Sequence, residues 1–135
     1  MKERLTDDDR RALIAYRLEM ADEALQNAVD SLEKEHFHGA INRIYYACFY
    51  TVSALLTLGG HEFSSHHGAK TLFGQHYIAT GKLSRKQGAF YGQIFNARNE
   101  GDYEAFVYYT HEIVAEYLDE ASEFIRVVKL EIHDI

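Results

Sequence analysis

Apolar residues recur along this chain at helical spacing almost throughout. Ile14, Leu18, Ala21, Leu25, Ala28 and Leu32 follow one another at intervals of four and three, which places them on one stripe of a helix. Thr6 opens that helix as a cap. Asp7, Asp8 and Asp9 follow it, where carboxylates favour the positive end of the helix dipole, and the helix is expected to end near Glu35. Arg17, Asp22, Glu23, Asp30 and Glu33 fall on the other side, so the helix is predicted to lie at the surface with those residues in water. A second helix, Phe37 to Leu58, is apolar on more than one side. Ile41, Tyr45, Phe49, Val52 and Leu56 make one row, and Ile44, Ala47, Cys48, Leu55 and Leu58 another. A helix apolar on two sides belongs in the centre of a fold. Gly59 and Gly60 stop it, since glycine readily takes the left-handed conformation that ends helices.

Three further helices complete the pattern. A polar loop with His61, His66 and His67 leads to a short helix around Ala69 to Ala79, closed by Gly81. Ser84 and Gln87 match the capping-box spacing and open a fourth helix through Phe90, Ile94 and Ala97, expected to end near Gly101. The last helix is expected from about Tyr103 to Ala105 onward, with Val114, Leu118, Ala121, Ile125, Val128 and Ile132 on one stripe. No linker or repeat divides the chain. The pattern predicts one domain spanning residues 1–135, an all-α, up-and-down bundle of about five helices.

Composition narrows the classes of function. The 135 residues carry a net charge of −7, which at long range repels polyanions and argues against broad, non-specific DNA binding. The charged N-terminus lacks the apolar core of a secretory signal, and no apolar run reaches the length that spans a bilayer, so no membrane association and a cytoplasmic location are expected. Cys48 is the only cysteine and lies in an apolar run, which fits a buried, reduced thiol. Eight histidines raise the question of a metal, yet their spacing matches no dedicated zinc pattern; neither a metal nor a cofactor is expected.

Two segments carry more than a bundle needs. Ala40-Ile41-Asn42-Arg43-Ile44-Tyr45-Tyr46-Ala47 on the second helix, followed about fifty residues later by Arg98-Asn99-Glu100-Gly101-Asp102-Tyr103, resembles the HEPN superfamily. The likeness is to its small stand-alone prokaryotic branch, with N-R-x-Y-Y-A and R-x-x-x-D-Y motifs, and His66 matches a further recurring position. The resemblance implies a five-helix bundle, a homodimer, and a minimal nucleotidyltransferase as partner, as in toxin–antitoxin pairs. It also implies nucleotide or RNA as ligand. Many members are metal-independent ribonucleases that use R-x(4-6)-H, with arginine and histidine meeting their copies across the dimer. Here the arginine carries over to Arg98 and the polar residue beside it to Asn99. The positions for the histidine hold Tyr103, Glu104 and Ala105, and His111 lies too far along.

Each of these residues also has a purely structural reading. Arg98 and Asp102, four apart, can form a local ion pair, and Tyr103 can pack its ring and hydrogen-bond through its hydroxyl. Arg43, in an apolar helix, needs a partner: Glu112, Glu116 or Glu120 of the last helix, or a bound phosphate beside Asn42 and Tyr46. His66 serves either as a polar helix start or as a proton-transfer group should its loop fold over Arg98. Three functions are then in play. The first is a dimeric HEPN binding module working with a nucleotidyltransferase, its groove lined by Asn42, Arg43, Tyr46, His66, Arg98 and Asp102. The second is an endoribonuclease toxin using Arg98, Asn99 and Tyr103, with Tyr103 or His66 in place of the missing histidine. The third is a structural interaction protein. Tyr103 is in addition a candidate for nucleotide attachment by the partner.

Overall fold

The computed structural model describes residues 5–103 and 108–132, with side chains from 5 to 99 and from 108 to 132. The helices are α1 (Asp7–Glu33), α2 (Phe37–Leu58), α3 (His66–Phe73), α4 (Arg85–Tyr103) and α5 (His111–Ile132), and a π-helical turn, Gly74–Ile78, continues α3. Among the described residues there is no strand. α1 and α2 form a hairpin whose turn sets Glu35 at φ 60°. α2 touches each of α1, α3, α4 and α5. Its Ile44, Ala47, Cys48, Val52, Ala54 and Leu56 are fully buried, so the helix with two apolar rows is indeed the axis of the bundle. Phe73, Tyr91, Ile94, Val114 and Phe124 close the core around it.

Local chemistry explains most of the boundaries. The Thr6 hydroxyl accepts from the Asp9 amide at 3.0 Å, and the Ser84 hydroxyl accepts from the Gln87 amide at 3.4 Å, so both polar caps act where their spacing predicts. α2 runs from Phe37 to Leu58 as expected, with Gly60 rather than Gly59 taking the left-handed conformation, at φ 75°. α4 ends at Tyr103, near Gly101 as expected. Two expectations need correction. The short helix begins at His66, three residues before Ala69, because the Ser65 hydroxyl accepts from the Gly68 amide at 2.8 Å. α5 begins at His111 rather than Tyr103 to Ala105, for the Thr110 hydroxyl caps it by accepting from the Ile113 amide at 3.2 Å.

The placing of Arg17 in water is also corrected. Its Nη1 donates to Thr57 Oγ1 at 2.6 Å and to the Ser53 carbonyl at 3.3 Å, and its guanidinium lies 5.6 Å from the centre of the Phe63 ring. A long, flexible side chain at the edge of the buried stripe reaches back over its neighbour helix, burying its stem and bonding with its head. The acceptors sit in the last turns of α2, where the helix dipole also favours a cation.

Candidate functional site

The two motifs meet on one side of the bundle, where α2, the start of α3 and the last turns of α4 converge. Tyr45 and Tyr46 are adjacent on α2, with Tyr45 fully buried and Tyr46 half-buried at the rim. Arg98 reaches over both from α4: its guanidinium carbon is 5.7 Å from the centre of each ring. Arg43, one turn before Tyr46 on α2, puts its guanidinium carbon 4.9 Å from the same Tyr46 ring. The face of a tyrosine attracts cations, and holding two guanidinium groups on one ring offsets part of their mutual repulsion.

Both arginines are steadied by the asparagine beside them. Arg43 donates from Nε and Nη2 to Asn42 Oδ1, at 3.1 and 2.7 Å, and Arg98 donates from Nη1 to Asn99 Oδ1 at 3.2 Å. For Arg43 this acceptor is neutral, so it orients the cation without cancelling its charge. Arg43 forms no ion pair with Glu112, Glu116 or Glu120; the carboxylate partners expected for it give way to Asn42 and the Tyr46 ring. Lys70 of α3 adds a further cation, its Nζ lying 5.4 Å from the centre of the Phe95 ring, which in turn packs edge-on against Tyr45.

His66 joins the group from the first turn of α3. Its Nδ1 is 2.8 Å from the Tyr45 hydroxyl, and its ring meets Phe49 at 4.3 Å between centres and Tyr46 edge-on at 5.6 Å. Burial, and then the charge of Arg98, hold its pKa below the ordinary histidine value, so the ring is neutral at pH 7. Burial pushes the Tyr45 hydroxyl well above the ordinary phenol range, and it keeps its proton. The Cys48 thiol, fully buried nearby, is likewise pushed up by burial and is no nucleophile in this setting.

Of the residues that sequence reasoning selected, Asn42, Arg43, Tyr46, His66, Arg98 and Asn99 are gathered here. The side chains of Asp102 and Tyr103 lie outside the described residues, so the Arg98–Asp102 pair and the roles considered for Tyr103 do too. Tyr45 and Lys70 were missed. Tyr45 sat in the apolar row with Ile41 and Phe49, and only its hydroxyl hinted at a polar partner; Lys70 gave no signal beyond its charge. Among the described residues no three metal-ligating side chains cluster. The stacked rings of His61 and His76, 3.9 Å apart, stand away from this site beside Tyr77. No described helix is long and apolar enough to cross a membrane.

An all-α bundle whose second and fourth helices bring two arginines onto a pair of adjacent tyrosines defines the class. The HEPN domain family model matches residues 14–131, and the chain belongs to that family. Among its relatives, a Thermotoga maritima protein named "UPF0332 protein" is 37% identical over 95% of this chain and 97% of its own length. Two proteins of Methanocaldococcus jannaschii are also similar. "Putative toxin MJ0142" is 31% identical, covering 75% of this chain and 68% of its own, and "Putative toxin MJ0605" is 30% identical, covering 76% of each.

Proposed function

We propose that this chain is a HEPN binding module of the toxin–antitoxin kind, acting as a homodimer beside a nucleotidyltransferase. In this reading Arg43, His66 and Arg98, grouped round the Tyr46 ring with Asn42 and Asn99, hold a phosphate of a nucleotide or RNA. The observation that carries it is the gathering of Arg43 and Arg98 on the Tyr46 ring, with Lys70 close by on Phe95, in a chain of net charge −7. Arg43, half-buried and held by a neutral acceptor, is prepared for an anion, because a charge-assisted bond to phosphate replaces the water it has lost. Tyr46 offers a ring on which a base can stack. The toxin names of the two M. jannaschii relatives support the biological setting. The partner and the dimer follow from the family resemblance.

Calorimetric titration of the full-length protein with AMP and with a short ribo-oligonucleotide tests this. Binding is expected, falling steeply with salt, and Arg98→Ala or Arg43→Ala should weaken it by about tenfold or more, the loss of one charge-assisted bond. Light scattering should give a dimer, and co-expression with a nucleotidyltransferase should give a complex. No binding of either ligand would refute the site. Cleavage of the oligonucleotide without metal, lost in Arg98→Ala, would replace the binding role by the ribonuclease one.

A further inference from the structure

The protons around Tyr45 decide what kind of group His66 is. Tyr45 is fully buried, and its hydroxyl has two polar neighbours: His66 Nδ1 at 2.8 Å, and the hydroxyl of Tyr91, whose ring stacks on its own at 6.3 Å between centres. The Tyr91 hydroxyl is buried and interacts electrostatically with that of Tyr45, although the two do not meet in hydrogen-bond geometry. Two arrangements are open. In one, Tyr45 donates to Nδ1, and its buried proton has an acceptor at 2.8 Å. In the other, Nδ1–H donates to Tyr45, and the Tyr45 proton is left without an acceptor, since the Tyr91 hydroxyl is out of hydrogen-bond geometry. A buried donor without an acceptor is what folded proteins avoid, so the first arrangement wins.

In a neutral imidazole only one nitrogen carries hydrogen. We infer that Tyr45 holds His66 as the Nε2–H tautomer, so that His66 presents a hydrogen-bond donor, and not a base, to the anion beside Arg98. Nδ1 is occupied by Tyr45, and among the described residues no hydrogen bond reaches the Nε2 edge of this half-buried ring. Tyr45 is thus a positioning residue acting through His66. The inference rests on the phosphate reading above for the identity of the anion. It deepens that reading by naming phosphate oxygens as what His66 recognises, and it separates binding from ribonuclease chemistry, which would need a proton acceptor at the same place.

The test is two-bond proton–nitrogen correlation spectroscopy of His66 in the full-length protein at neutral pH. The expected pattern has protonated Nε2 and unprotonated Nδ1. A wild-type spectrum with the proton on Nδ1, or with both nitrogens protonated, would overturn the inference without any variant. Tyr45→Phe keeps the ring and should relax His66 toward the mixture of tautomers of a solvated imidazole; an unchanged pure Nε2–H pattern would remove Tyr45 from the role. Tyr91→Phe should keep Nε2–H, because Tyr45 still has only Nδ1 to donate to, and a switch to Nδ1–H counts against the argument. Adding inorganic phosphate should move the Nε2 proton resonance in the wild type. Failure to move it while AMP still binds would refute the donor role and leave the nucleotide site standing; failure of AMP and phosphate alike would refute that site too, and the tautomer would be read all the same.

Discussion

Replacing Arg17 by alanine tests the claim that a residue on the margin of α1 is a structural tie and not a solvated charge. Its Nη1 bonds to Thr57 Oγ1 at 2.6 Å and, less closely, to the Ser53 carbonyl at 3.3 Å, and Phe63 lies beneath the guanidinium. A hydrogen bond from a charged donor is worth about 1.5–3 kcal/mol when buried, and Arg17 is half-buried, so the lower end applies. The ring contact adds about 0.5 kcal/mol at such a site, and the lost contacts of the side-chain stem add to it. Alanine's better helix propensity returns a few tenths. Thr57 remains satisfied in the variant, because its hydroxyl donates to Ser53 at 2.8 Å. The net expectation is a loss of about 2 kcal/mol, or about 1 M in the urea midpoint for a protein of this size, with the slope unchanged. Arg11→Ala, at an exposed position of the same helix, should stay within about 0.5 kcal/mol of wild type. Equal midpoints for Arg17→Ala, Arg11→Ala and the wild type would refute the reasoning and return Arg17 to the solvent face.

Three more outcomes follow from the packing. Gly59→Ala would place a Cβ 2.6 Å from the Tyr77 hydroxyl and 2.7 Å from the His61 ring; Tyr77 is bonded to the Leu55 carbonyl and His61 is stacked on His76, so neither yields freely, and thermal melting should show a loss of about 1–3 kcal/mol. Cys48 should resist a thiol reagent in the folded protein and react at once in urea. Because its pKa is raised on folding, the stability it supports is fully present below the ordinary thiol value and is lost as pH rises above it, a decline that Cys48→Ala should lessen in urea melts at high pH. His61 and His66 both have depressed pKa values in the fold, the first through burial, His76 and Lys82, the second through burial and Arg98. Stability should therefore hold above about pH 6.5, the ordinary histidine value, and fall as pH drops below it, and His66→Gln should flatten part of that fall.

The helices themselves were legible in the chain because their causes are local. Spacings of three and four set the buried stripe of α1, the double apolar row set α2 at the centre, and Thr6 and Ser84 marked their own helix starts. Boundaries set by a single hydroxyl elsewhere were harder. Ser65 and Thr110 look like any other loop residue until their oxygens are seen to accept from the amides three positions on. Arg17 misled for a different reason: helical spacing gives the direction of a Cβ, and a long side chain can carry its charge well away from it.

What the residues determined alone is the all-α bundle, its central helix, and the pair of motifs that mark the family, since each depends on neighbours within a few turns or on order along the chain. What only tertiary structure decided is the company these residues keep. Tyr45 and His66 are 21 positions apart, and Arg98 and Tyr46 lie on different helices; whether they touch depends on how α2, α3 and α4 cross, which no local period encodes. The same packing left Arg43 with Asn42 and a ring in place of a carboxylate of the last helix.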